Sequence, residues 1–145
     1  MSKRTLVHEA VISSPPELLF QALHTPRAIR AWWGATAAIV LARPGGYCVI
    51  SWGEENDPSY LSAGRITEFN PPHRMVLSEY LYYAKDGNMP ADADFVISFE
   101  VSPHGDGAVL KIVQDGFPEG SDEFYDQCVQ GWADTCNGIK HFLAG

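Results

Sequence analysis

The sequence predicts an α+β fold in which a curved antiparallel β-sheet wraps around one long C-terminal helix. Three observations predict it. Residues 121–143 carry Phe124, Cys128, Trp132, Cys136, Ile139 and Leu143 at steps of four, four, four, three and four, which is one apolar stripe on a helix. The preceding stretch, residues 36–115, changes to a period of two and is punctuated by turn residues, with no helical pattern inside it. A rod of roughly 35 Å, at ~1.5 Å per residue, needs a broad apolar partner, and a sheet with one apolar face supplies it.

Each element has its own signal. Residues 5–13 mix β-branched and apolar types and read as a first strand. Ser14-Pro15-Pro16-Glu17 reads as a helix start: Ser14 as N-cap, Pro15 at the first helical position and Glu17 closing a capping box. Leu18, Leu19, Ala22 and Leu23 then form the face of a short helix. Thr25-Pro26 ends it and caps a second, residues 27–33, which Gly34 closes. Strands follow at 36–42, 47–53, 60–69, 73–83, 94–102 and 108–115. Between them stand the turn Arg43-Pro44-Gly45-Gly46, a polar loop at 54–59, the stop Asn70-Pro71-Pro72, the turn Lys85-Asp86-Gly87-Asn88 lengthened by Met89-Pro90, and the hairpin turn His104-Gly105-Asp106-Gly107. Consecutive antiparallel pairing is the simplest topology for such a run. Ser121 can cap the last helix. Asp122, Glu123 and Asp126 at its start and Lys140 and His141 near its end suit the dipole, and Gly145 closes the chain.

At 145 residues a single domain spanning 1–145 is expected, and a chain of this size buries about 68–70% of its unfolded surface. The net charge of −8 argues against nucleic acid or an anionic membrane as partner. Three cysteines without paired spacing make no disulfide framework. No apolar run reaches signal-peptide or membrane-spanning length, so a cytoplasmic setting is expected.

The order of elements and a set of short motifs resemble the START-like (SRPBCC, helix-grip, Bet v 1-like) superfamily, and within it the activator of Hsp90 ATPase homologue family. The motifs are Ser14-Pro15-Pro16-Glu17, Thr25-Pro26, Ala31-Trp32-Trp33-Gly34 and Arg43-Pro44-Gly45-Gly46. They continue with Gly64-Arg65-Ile66-Thr67-Glu68-Phe69-Asn70-Pro71-Pro72-His73-Arg74, Gly107-Ala108-Val109-Leu110-Lys111-Ile112, Gly116-Phe117 and Gly131-Trp132. They stand in family order over residues 7–143. The resemblance implies a cavity between sheet and long helix that suits one apolar or amphipathic ligand. The eukaryotic activator carries a further N-terminal domain for chaperone binding, to which nothing in this sequence corresponds. Glu79 also departs from the pattern, which often has an aromatic residue there.

The alternation assigns candidate walls to that cavity. Phe95, Ile97 and Phe99 come from one strand, with Leu110, Ile112 and Gln114 from its neighbour. Phe124, Cys128, Trp132 and Cys136 come from the helix, and Trp32 and Trp33 stand near the mouth. Trp52 and Tyr47 differ in parity on one strand, so at most one faces inward. Plain core packing is the alternative for each apolar member. Gln114 can donate and accept, so it could orient a ligand carbonyl or bridge a backbone group. Glu79 is the sharpest position. On the face of Met75, Leu77 and Leu81 it points inward, and a desolvated carboxylate there could act as a general base. A bulge that turns it outward, or pairing with Arg65, is the plainer alternative.

No cofactor or metal is expected. The five histidines scatter without ligand spacing, and no nucleophile elbow, phosphate loop or dinucleotide fingerprint occurs. Three functions stay open. The first is a binding protein for a small hydrophobic or amphipathic ligand. The second is a cyclase, dehydratase or hydrolase using Glu79, since polyketide cyclases are among the superfamily's members. The third is a protein-interaction module, including a chaperone-linked one. A homodimer through exposed Trp32-Trp33 or a sheet edge also stays open.

Overall fold

The computed structural model describes residues 4–54, 56–87 and 94–144. In chain order the elements are β1 (Arg4–Ile12), α1 (Pro16–His24), α2 (Pro26–Trp33), β2 (Ala37–Val40), β3 (Tyr47–Glu54), β4 (Asp57–Asn70), β5 (Arg74–Ala84), β6 (Phe95–His104), β7 (Gly107–Phe117) and α3 (Asp122–Ala144). The seven strands form one antiparallel sheet in the order β1-β7-β6-β5-β4-β3-β2. β2 to β7 pair consecutively, and β1 closes the sheet against β7. The sheet's inner face covers α3, with α1 and α2 filling the end that the chain crosses between β1 and β2. This is the helix-grip architecture.

The local chemistry explains most boundaries. α2 ends at Gly34, whose φ of 66° is the left-handed conformation that glycine adopts without penalty. All three helix starts differ from expectation. Ser14 does not cap α1: its amide is tied back to the Ile12 carbonyl at 2.9 Å, so Pro15 takes the N-cap position and the helix begins at Pro16. The hydroxyls of Thr25 and Ser121 turn backwards, donating to the carbonyls of Gln21 and Pro118. The polar loop expected at 54–59 is instead a hairpin, with Glu54 opposite Asp57. A two-stranded ribbon wet on both faces needs no apolar alternation, so its sequence reads as loop. Gly145 and the Asn88, Met89 and Pro90 of the β5–β6 connection lie outside the described residues.

Bulges bend the sheet and reset its parity. Register shifts interrupt β3 near Trp52, β4 after Ala63 and after Ile66, and β5 between Leu77 and Tyr80. The outer face is solvated and carries opposed charges, with Arg74 paired to Glu68 at 3.2 Å and to Glu100 at 3.0 Å. Such half-exposed pairs contribute little to stability. Inside, Leu6, Ile12, Leu19, Phe20, Ile29, Ile66, Leu110 and Ile139 are all 2% exposed or less. Arg4 lies over the Tyr125 ring at 3.7 Å and pairs with Asp122, which fixes the start of α3 against β1.

α3 meets α2 at Gly138. A Cβ there would collide with the Trp32 carbonyl oxygen, whereas a Cβ at Gly131 would meet nothing within 4 Å. Gly138→Ala is therefore expected to lower stability by about 1–2 kcal/mol, overpacking outweighing its gain in helix propensity. Gly131→Ala is expected to raise it by up to about 1 kcal/mol. Paired urea melts of the two variants check this; equal shifts in the same direction would refute the close approach. His24 gives a pH test. Its ring lies 5.5 Å from Phe20 and 5.2 Å from Phe69, and burial lowers its pKa below 6.5. The unfolded chain thus takes the proton at higher pH than the folded one, so stability present above pH 6.5 is lost as pH falls below it. Melting temperatures between pH 7.5 and 5 should fall less steeply for His24→Gln than for the parent.

Candidate functional site

α2, β3, β4, β5 and α3 border a partly open hollow of about 350 Å³. Its existence follows from the bulge in β5. Met75 and Leu77 point inward, and a strict alternation would then send Glu79 and Leu81 after them. The extra residue between Leu77 and Tyr80 reverses the parity, so Tyr80 and Tyr82 turn in while Leu81 and Tyr83 stand 55% and 54% exposed. Glu79 sits at the bulge with φ 52°. Its side chain is 64% exposed and pairs with Arg65 at 3.2 Å. The inward orientation considered for Glu79 and Leu81 is thereby corrected, and Glu79 has no access to the interior from which to act as a general base.

On β4 the neighbour of this bulge is Gly64, where a Cβ would lie 2.6 Å from the Tyr80 ring. The bare backbone lets the ring lie flat across the strand. Tyr80 then donates its hydroxyl to buried Ser62 at 2.8 Å. Trp33, Trp52, Tyr60 and Tyr82 build the rest of the aromatic wall. Trp52 donates its indole N–H to the Trp33 carbonyl at 3.1 Å and meets Trp33 and Tyr60 edge-on at 5.2 Å. α3 supplies Phe124, Cys128, Trp132 and Thr135, with exposed Gln127 and Gly131 at the rim. Among the described residues no charged side chain lines the hollow.

One buried carboxamide joins sheet to helix. Gln114 on β7 is 0% exposed. Its Oε1 accepts from the Trp132 indole N–H at 2.8 Å, and its Nε2 donates to the Tyr82 hydroxyl at 3.2 Å. Burial raises the pKa of Tyr60 and Tyr82 well above the ordinary phenol value. Burial also pushes the Cys128 thiol up to about 12, against a smaller opposing hydrogen bond from Gln114. The phenols and the thiol are therefore neutral at physiological pH, and Cys128 is a poor nucleophile.

The sequence-derived candidates divide accordingly. Trp33, Trp52, Cys128 and Trp132 line the hollow, and Gln114 stands behind it as a linker. Phe95, Ile97, Phe99 and Ile112 are packed core, between 0% and 6% exposed; Phe99 meets Trp132 edge-on at 5.9 Å. Trp32 is 8% exposed, donates to the Ala22 carbonyl at 2.9 Å and stacks on Trp33, so the exposed tryptophan pair considered as a dimer contact does not exist. Tyr47 points outward. Tyr60, Tyr80 and Tyr82 carry more of the wall than the alternation suggested, because the bulge that turns the last two inward has no composition signal beyond glutamate breaking an apolar strand. Gln127, Gly131 and Thr135 complete the helix side; their spacing of four marks one face, but a polar one. Among the described residues no group of three His, Cys, Asp or Glu side chains could hold a metal, and Cys48, Cys128 and Cys136 are free.

A family model described as activator of Hsp90 ATPase homologue 1-like protein matches residues 13–144. Crystal structures share the fold over nearly their full length. One from Chromobacterium violaceum is 24% identical, with 98% of this chain and 99% of that one covered, at a TM-score of 0.76. One from Mesorhizobium loti is 23% identical, with 97% of each chain covered, at 0.81. One from Rhizobium leguminosarum is 16% identical, with 99% and 95% covered, at 0.82. No curated protein matches the chain.

The bulge geometry makes a prediction. Asparagine tolerates positive φ and valine does not, so Glu79→Asn should leave stability nearly unchanged while Glu79→Val lowers it by about 1–2 kcal/mol. If the carboxylate itself mattered, chemical denaturation would show both variants losing alike.

Proposed function

The chain belongs to the activator of Hsp90 ATPase homologue 1-like family, and from that premise we propose that it binds one small, predominantly apolar molecule in the hollow between sheet and α3. The observation that carries this reading is the lining: about 350 Å³ of space walled by aromatic rings, with no charged side chain among the described residues that border it. A hollow of that size is at the lower end of small-molecule sites. A protein that needed these rings only for stability would pack them together, since an empty interior forfeits dispersion contacts. The indole N–H groups of Trp52 and Trp132 are already spent on carbonyl partners, so those two rings offer their faces for contact rather than for further anchoring. An enzymatic role has less support, because the carboxylate considered for it lies outside the hollow and no other ionisable group in the lining has a pKa near neutrality. Among the described residues no helix is long and apolar enough to cross a membrane.

The test is a thermal-shift screen of neutral fused-ring and fatty compounds, followed by native mass spectrometry. A ligand at a hundred times its Kd should raise the melting temperature by about 5–10 °C and appear as a 1:1 complex. Cys128→Phe, which fills the hollow from the helix side, should abolish the shift while leaving the far-UV circular dichroism unchanged. A screen without hits, or equal stabilisation of Cys128→Phe, would count against the reading.

A further inference from the structure

The hydrogen-bond chain behind the hollow restricts what chemistry the ligand presents. An indole nitrogen only donates, so the Gln114 atom facing Trp132 at 2.8 Å must be the carbonyl oxygen. The amide nitrogen therefore faces Tyr82, and the Tyr82 oxygen is an acceptor there, at 3.2 Å. The proton of Tyr82 must point elsewhere, and among the described residues no side chain or carbonyl takes it. The Tyr60 hydroxyl on the same wall also has no hydrogen-bond partner among the described residues, and its ring lies 6.1 Å from that of Tyr82. Among the described residues, two phenols without an acceptor for their protons thus border one hollow, and no charged side chain lines it.

We propose that the ligand is an uncharged, flat aromatic ketone, or a molecule with an equivalent conjugated carbonyl, whose oxygen accepts the Tyr82 proton. This rests on the reading of the hollow as a binding site and goes beyond it by naming the ligand's polarity. A hydrocarbon would leave two half-buried hydroxyls without acceptors, which is a cost. A carboxylate would enter a space without a cation to meet it. A quaternary ammonium could use the ring faces, but the inward-facing donors oppose it. The flat shape follows from the walls: Trp33 and Trp132 lie within 31° of parallel at 6.0 Å between centroids, while Trp52 meets Trp33 at 87°. Such a box offers one broad ring surface and one edge. Because burial raises the pKa of Tyr82 and Tyr60, both remain donors across the physiological pH range.

The experiment compares three probes of one shape by isothermal titration calorimetry: 2-acetylnaphthalene, 2-isopropylnaphthalene and trimethyl(2-naphthyl)ammonium. The ketone should bind about tenfold more tightly than the hydrocarbon, the worth of one well-formed hydrogen bond, and the cation weakest. In Tyr82→Phe the ketone should lose its advantage over the hydrocarbon, the two being compared on the same variant. Equal binding of ketone and hydrocarbon, or tightest binding of the cation, overturns the inference and leaves the site reading standing. No binding by any of the three overturns both. Should Tyr82→Phe fail to fold, infrared spectra of the carbonyl-labelled ketone bound to the parent protein decide: a stretch lowered relative to alkane solvent supports the bond, and an unshifted one refutes it.

Discussion

The extra residue in β5 is the constraint on which the interior depends. A strand's side chains alternate faces, so one inserted residue exchanges the inward and outward sets from there to its end. Before the bulge Met75 and Leu77 enter the core; after it Tyr80 and Tyr82 do. The residue that absorbs the irregularity is Glu79, in the left-handed region at φ 52°, with its carboxylate in solvent beside Arg65. Gly64 on the paired strand makes the same reversal sterically feasible, since the Tyr80 ring covers a backbone without Cβ. Without the reversal Leu81 and Tyr83 would face α3, and the hydroxyls that now edge the hollow would face water.

From this follows the link between sheet and helix. α3 packs by its apolar stripe, but apolar contact alone sets no rotation about the helix axis. Gln114 supplies a directional tie, accepting from Trp132 on α3 and donating to Tyr82 on β5. A fully buried carboxamide is tolerable only when its groups are bonded, so the link holds three elements in one arrangement. Further along the helix Gly138 lets α2 approach to backbone distance. The helix is thus seated at its middle and towards its end, and the hollow lies along the half nearer its start, where Phe124, Cys128 and Trp132 face Trp52, Tyr60 and Tyr82. The same elements that stabilise the fold leave the space unfilled.

Much of the fold was legible in the residues themselves. The helical stripe in α3, the period-two run and the glycine and proline turns are local signals, and each marked its element to within a few positions. The site was legible in part. Cys128 and Trp132, on the helical stripe, border the hollow, and of the pair Trp52 and Tyr47, of which parity let at most one face inward, Trp52 does. Phe95, Ile97, Phe99 and Ile112 obey the same alternation yet are solid core, because facing inward does not say whether a neighbour or a space stands opposite.

What the sequence by itself determined is therefore the set of elements, their order and the apolar face of each as far as no bulge intervenes, since those follow from periodicities of two and 3.6 along the chain. What only the tertiary structure decided is which inward residues touch one another and which border the hollow. That depends on the bulge between Leu77 and Tyr80 and on Gln114 finding Trp132 across the interior. Both are relations between residues distant in the chain, and no local pattern encodes a distance across a core.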